Sequence, residues 1–548
     1  MDDLTFEQEV RRNFLLQRCS FQQHPLRAER KKIRVLYVSL VYSLVQSQMA
    51  KNMGLDVCLQ RLVQTLEVSS EAVAADKNEI PAGLKTLESV FWHGGISFGI
   101  KNYQSLCLVE SVCLLGITDN YSKEKMTDVL TDFCEIGEIP KAVQNSLTPY
   151  LDYLFTAAAR DNGKKRTENA SYLDFMYGRL FRYRELPYYH VAVCATMSAG
   201  KSTFINALLG GDYIPSGNEA CTAKITSIAD NDSFPELLGC CREKDVLSPV
   251  TPVTNDVLQK WNSTEDISRV FLEGDLQEIG VKQSILVVHD TPGTNSSENP
   301  QHQQRTMDFL THHSLQAIIY LFNAEHISST DNQTLLQEIK RKVIDVMPQT
   351  KIVFLVNKVD SFDLEGGEDL AQSLRSVCQE LESLGFEKPQ VMPVMAYAAR
   401  LFKMALTGQA DKFTRKEKRE FGDFYDRCQE KELDLTQYQC NIDLPGRGPA
   451  VSGDIAIGKD TYRKDVLVEA LRRTGICSVA SLWDEVIQDY KPEDLGGKKG
   501  RAALSKEERM LLDDLDRWEA ENTGRQKDRK QEESDLLADL DQWEQKYS

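Results

Sequence analysis

The chain has 548 residues, enough for two to four domains at about 150 residues each. Hydrophobic residues make up 41% and charged residues 27%, the balance of a globular protein, which excludes disorder throughout. The formal net charge of −18 argues against a dedicated nucleic-acid binder, so no nucleic-acid partner is expected. Thirteen cysteines run from Cys19 to Cys477 with no C-x-x-C spacing, which reads as reduced thiols in a cytoplasmic protein.

From residue 1 to about 185 the pattern is helical. Apolar residues recur at three- and four-residue spacing, as in Leu59, Leu62, Val63 and Leu66, and again in Leu108, Val109, Val112 and Leu115. The run from Val35 to Val45 follows a basic stretch, Arg27 to Arg34. It lies too deep in the chain for a signal peptide and is far short of the ~20 residues that cross a bilayer, so it reads as a buried helix. Pro81 to Gly83 and Gly94-Gly95 punctuate the region, and Asp161 to Thr167 reads as a linker or exposed turn.

From about Leu186 the period changes. Short apolar runs alternate with amphipathic stretches: His190 to Cys194, Ile225 to Ile228, Ile285 to His289, Ala317 to Phe322, Lys351 to Val356 and Gln390 to Met395. This pattern predicts an α/β domain, a mostly parallel sheet with helices on both faces, over 186–490. A polar insertion, 405–464, carries the charge run Lys412 to Arg419 and the turn-rich Leu444 to Pro449; helices around Asp465 to Thr474 and on to Ile487 close the domain. The tail, 491–548, is a short charged helical segment with an internal repeat. Leu511 to Glu519 recurs as Leu536 to Glu544, each copy setting Leu, Leu and Trp on one helix face. It packs on its own protein or docks a protein partner.

Four motifs carry chemistry. After the first run come Ala195, Thr196, Met197, Ser198, Ala199, Gly200, Lys201, Ser202 and Thr203, the phosphate-binding pattern G-x-x-x-x-G-K-[ST] with Ala195 in place of its first glycine. Backbone N–H groups and the next helix N-terminus converge on phosphates, Lys201 reaches the β and γ oxygens, and Ser202 takes Mg²⁺. Asp290 to Gly293 follow a second run, placing a carboxylate near the Mg²⁺ shell and a glycine N–H near the γ-phosphate. Asn357, Lys358 and Asp360 follow a third, and Asp360 can accept from guanine N1 and N2, a donor pair that adenine lacks. Thr222, about twenty residues after Ser202, can close over Mg²⁺ when the γ-phosphate is present. Ala396 is a candidate backbone contact to the base. Four motifs in this order, three at predicted strand ends, point to GTP with Mg²⁺, and Asp360 disfavours ATP.

The stretch from His190 to Ile228, with Pro215 to Thr222, Asp290 to Gly293, Asn295 to Pro300, Tyr320 to Ala324 and Leu471 to Ile476, resembles the GTPase domain of bacterial dynamin-like proteins. The likeness covers roughly 190 to 490. It implies a large GTPase of modest nucleotide affinity that dimerises across its nucleotide face, or assembles further, and hydrolyses GTP without a separate activator. It also implies that Ser198 helps hold a charge-compensating cation, and that Met197 stands where a water-placing Gln is usual. The catalytic candidates are thus Lys201, Ser198 and Thr222, with Ser202, Thr222 and Asp290 as metal ligands. Arg305 is either a charge-neutralising finger or part of a solvated helix face. Too few residues follow the domain for a conventional stalk. The leading expectation is a GTP-hydrolysing, self-associating protein with mechanical or switching output, in peripheral contact with a membrane. The alternative is a GTP-dependent switch with little turnover that recruits a partner through the Leu/Trp repeats.

Overall fold

The computed structural model describes residues 3–49, 53–69, 103–136, 141–155, 172–215, 224–232, 236–244, 246–277, 279, 284–293, 300–362, 369–446 and 448–488. All lie in one compact unit, Met1–Gln488. The tail with its repeat, the stretches at 81–83, 94–95 and 161–167, and Thr222 fall outside the described residues.

The N-terminal residues form the helices Asp3–Arg18, Lys31–Met49, Met53–Thr65, Gln104–Thr118, Lys123–Ile136, Lys141–Phe155 and Arg179–Glu185, with no strand before Tyr188 among the described residues. The periodic positions face one core: Leu59, Leu62, Val63, Leu66, Leu108, Val109, Val112 and Leu115 are all buried together with Tyr37, Val38, Val41 and Val45. Each buried aliphatic side chain contributes about 1.5–3 kcal/mol of transfer free energy. No helix among the described residues is long and apolar enough to cross a membrane.

Among the described residues the sheet has ten strands: β1 (Tyr188–Ala195), β2 (Ile225–Asp230), β3 (Leu238–Glu243), β4 (Val246–Leu247), β5 (Thr251–Pro252), β6 (Ile267–Gly274), β7 (Ile285–Asp290), β8 (Ala317–Asn323), β9 (Lys351–Asn357) and β10 (Gln390–Val394). Their order is β10-β9-β8-β1-β7-β2-β6-β3-β4, with β5 on β3. The stretch from β10 to β7 is wholly parallel. Beyond it β2 runs antiparallel to β7, β6 follows β2 in parallel, and β3 turns back again. The six expected runs are β1, β2, β7, β8, β9 and β10. The sequence reading missed β3, β4, β5 and β6, and the buried residues of β6 include Arg269 and Glu273.

Those two charges are explained by distant partners. Arg18 donates from Nε to Glu273 Oε1 at 3.1 Å and from Nη2 to the Glu236 carbonyl at 2.9 Å, while Asn231 also donates to Glu273 at 2.9 Å. Arg269 reaches Ser227 Oγ at 3.2 Å from Nη2. The helix Asp3–Arg18 thereby seals one face of the sheet, where Val10 and Phe14 bury against Leu238, Cys240 and Phe271. Ile285 and Val287 of β7 join the main helical core. Strand side chains alternate between faces, so His289 points to this side and Asp290 to the other, where the helix Lys201–Leu209 packs.

The insertion is ordered against the sheet domain. Its helix Arg415–Arg427 starts on a capping box, Thr414 with Glu417. Glu417 also accepts from Arg400 Nη2 at 2.7 Å. A hairpin pairs Asp454–Ile457 with Asp460–Arg463, and the helices Lys464–Arg473 and Ile476–Gln488 close the unit around Gly475 at φ +80°.

Candidate functional site

The predicted loops meet at the C-terminal edge of β1, β7, β9 and β10. At Ala195 β1 is still paired, in register with Leu321 of β8, so the backbone there is extended strand and has no need of glycine. The turn comes later. Ser198 is exposed at φ +62° and Gly200 lies at φ +87° as the cap of the helix Lys201–Leu209. A Cβ on Gly200 would stand 2.4 Å from Asn357 Nδ2, so both the backbone conformation and the space demand glycine. Ala199 is buried, whereas Met197, Ser202 and Thr203 are half-buried along the loop and first turn.

Lys201 donates from Nζ to Asp290 Oδ1. Both groups are buried, Asp290 completely. Burial pushes the Asp290 carboxyl above the usual aspartate range, and the lysine beside it only partly offsets this. Asp290 Oδ2 is buried and has no hydrogen-bond partner. An unpartnered buried carboxylate oxygen, with a half-buried serine hydroxyl on the residue after Lys201, is a donor chemistry that fits a hard divalent cation. The next residues are tied down: Thr291 Oγ1 donates to the Val193 carbonyl at 2.8 Å, and Thr306 Oγ1 to the Pro292 carbonyl at 3.1 Å. Met197 lies against Gly293, its Cγ 3.6 Å from where a Cβ would stand.

On the far side, Asn357 uses both ends of its amide. Nδ2 donates to the Ala199 carbonyl at 2.9 Å and Oδ1 accepts the Ala396 N–H at 3.0 Å. One side chain thus joins the phosphate-type loop to the start of the helix Ala396–Leu406, and the Ala396 N–H is committed to it. Lys358 adopts φ +64° and turns the chain so that Asp360 sits half-buried beyond it. Burial raises the Asp360 carboxyl above its usual range, against its own backbone N–H and the nearby Arg427 and Lys358. The insertion contributes directly here, for Arg427 Nη2 donates to the Asp360 carbonyl at 3.2 Å.

Three participants were not foreseen. Asn332 accepts from Thr196 Oγ1 at 3.1 Å and from Tyr320 at 2.8 Å, and its amide donates to the His326 and Ile327 carbonyls at 2.9 and 3.0 Å. His302 hydrogen-bonds the backbone of Gly293. Arg427 is the third. Nothing in their local sequence marks them: Asn332 and Arg427 act on loops distant in the chain, and His302 reaches back from the next helix. Arg305 is exposed and lines a cleft of about 760 Å³ with Lys224, Pro292 and Phe309.

Residues 191–359 match the model of the Dynamin family. Dynamin-like protein A of Bacillus subtilis (strain 168) is 26% identical over 197 residues, 35% of this chain. The chain spans 15% of that protein's length. Among solved structures, a chain of an oligomerised bacterial dynamin pair is 14% identical with a TM-score of 0.32, over 90% of this chain and 65% of that one. Era of Aquifex aeolicus bound to GDP·AlF4⁻ is 15% identical with a TM-score of 0.24, over 41% and 56%. Over residues 191–359 the chain thus matches the Dynamin family model, and over 197 residues it is similar to a bacterial dynamin-like protein.

Proposed function

We propose that the chain binds GTP with Mg²⁺ and hydrolyses it as a dynamin-type GTPase. The observation that carries this reading is the Lys201–Asp290 pair, with one carboxylate oxygen unpartnered, at the strand edge shared with Asn357 and Asp360. Met197 through Thr203 would present backbone N–H groups and a helix N-terminus to the phosphates. Lys201 would exchange Asp290 for phosphate oxygens, and Asp360 would accept from guanine. Ser202 and Asp290, with Thr222, would hold Mg²⁺, which when bound supplies charge neutralisation at the phosphates. Ser198 would help hold a second compensating cation. Positioning and charge compensation suffice for attack by water, so no side-chain base is required.

The reading extends to nucleotide-driven self-association through residues 186–490, with a mechanical or switching output, a cytoplasmic location and peripheral contact with a membrane. The helical region 1–185 would serve as its lever, and the tail 491–548 would engage a protein partner. One observation favours the slow-switch alternative: Met197 sets an apolar side chain against Gly293, where a water-orienting amide would otherwise stand.

GTP turnover measured against protein concentration, with and without anionic vesicles, tests this. Lys201→Ala is the blank and ATP the wrong-base control. A GTP-specific rate per molecule that rises with concentration supports the self-activating GTPase. Tight GTP binding with turnover no higher than the blank leaves the switch, and equal use of ATP overturns the assignment of Asp360.

A further inference from the structure

Cys378 and Cys440 are far apart in the chain, yet their sulfurs stand 2.6 Å apart. Cys378 is buried on the helix Leu370–Ser383, whose Leu374, Val377 and Leu381 are also buried. Cys440 belongs to the insertion and forms an antiparallel bridge with Val391 of β10, with backbone hydrogen bonds of 3.1 and 2.9 Å in the two directions. Its neighbour Asn441 donates from Nδ2 to the Pro389 carbonyl at 2.9 Å. Both backbones are therefore held, and the sulfurs need to move by only about half an ångström to reach the bonded separation of about 2.05 Å.

Accessibility separates the two thiols. Among the described residues Cys440 is the one cysteine that is not buried. Burial, and then the neighbouring Cys440, push the Cys378 thiol up to about 12. Cys440 is thus the thiol that a reagent in solution meets first, and Cys378 is positioned to resolve what forms there. Cys19 and Cys58 also touch, but both are fully buried and out of reach.

We propose that Cys378 and Cys440 are a thiol pair that low-molecular-weight disulfides convert to an intramolecular disulfide. The Cys440 thiolate attacks one sulfur of the small disulfide and expels one small thiolate, giving a mixed disulfide. The Cys378 thiol loses its proton to water and attacks the Cys440 sulfur, expelling the second small thiolate. The protein loses two electrons and two protons, and the small disulfide is reduced to two thiols. The new bond closes a loop containing β10, the helix Ala396–Leu406 and the helix Arg415–Arg427, and so straps the insertion that carries Arg427 to the side of the domain bearing Asp360.

The full chain is incubated with oxidised glutathione, quenched in acid, alkylated after denaturation and mapped by mass spectrometry. The expected product is a Cys378–Cys440 linked peptide two hydrogens lighter than its parts, with Cys19 and Cys58 alkylated. Tm should rise by about 5 °C on oxidation and return on reduction. Cys378→Ser should stop at a glutathione adduct on Cys440, and Cys440→Ser should form neither adduct nor link while keeping the Tm of the reduced protein. Wild-type protein that halts at the Cys440 adduct, or stays unmodified over the hours in which Cys378→Ser is modified, overturns the proposal.

Discussion

Glu110 in the N-terminal helices and Asp290 at the end of β7 are both fully buried carboxylates, and they are handled in opposite ways. Glu110 accepts at Oε2 from Tyr37 and from His24 Nε2 at 3.0 Å, and at Oε1 from Tyr172 at 2.6 Å and Tyr177 at 3.0 Å. His24 Nδ1 accepts the Leu26 N–H at 3.1 Å, which places the ring proton on Nε2 and makes it a donor to Glu110. Burial works to raise the carboxyl, but His24 and the tyrosines outweigh it and hold it below its usual range. Asp290 has one lysine and an empty oxygen, and sits above its usual range. Glu110 is a saturated buried charge that fixes a core, whereas Asp290 keeps one oxygen open, as the proposed Mg²⁺ site would require.

The strongest way to break this comparison is Glu110→Ala, which leaves three hydroxyls and an imidazole N–H without their acceptor. It should cost about 3–5 kcal/mol, read by denaturant unfolding, with GTP affinity of the folded fraction unchanged. A loss below 1 kcal/mol would mean the network is ornamental. Next, Lys201→Ala should cut turnover about 10²–10³-fold with a small change in Tm, because Asp290, already displaced upward, can take a proton and stay neutral. A fall in Tm as deep as that of Glu110→Ala would show the site to be structural too.

Acid sharpens the contrast. His190 on β1 stacks on His289 of β7 with ring centroids 5.2 Å apart and its Nδ1 3.0 Å from His289 Nε2. Burial first, then Arg269 and His313, lower His190 to about 3, and burial likewise holds His289 well below the ordinary range. The unfolded chain takes up these protons near pH 6.5 while the folded chain does not, so the unfolded state binds more protons below that pH. The contribution of these two histidines should be flat above pH 7 and fall on acidification at about 1.4 kcal/mol per pH unit for each histidine. His190→Gln should lessen the slope between pH 6.5 and 5. The smallest effect is expected from Met197→Gln, which restores an amide beside Gly293 and should raise single-turnover hydrolysis about fivefold or less. No gain would show that Met197 does not limit turnover.

The motifs were legible because their chemistry is local: a glycine before a lysine, or an aspartate at a strand end, declares itself within a few residues. The parallel half of the sheet was legible for a similar reason, since Ile318 to Phe322 and Ile352 to Val356 are nearly continuous apolar runs. β6 was not. Arg269 and Glu273 make Ile267–Gly274 look like a surface segment until Ser227 and Arg18 are brought to them. The reach of Asn357 to Ala199 and Ala396 was equally hidden, because its partners lie in other motifs. Ala195 shows the converse, a departure from pattern that the strand absorbs.

The contact of Val10 and Phe14 with Leu238, Cys240 and Phe271 also sets a timetable. The helix that bears the first two is translated long before β3 and β6. At about 5–20 residues per second, on the order of ten seconds or more pass before its apolar stripe can find its cover. Ile285 and Val287, which complete the helical core, arrive later still. During biosynthesis the apolar stripe of this helix therefore stays uncovered until β3 and β6 leave the ribosome, and the helical core is completed only with β7.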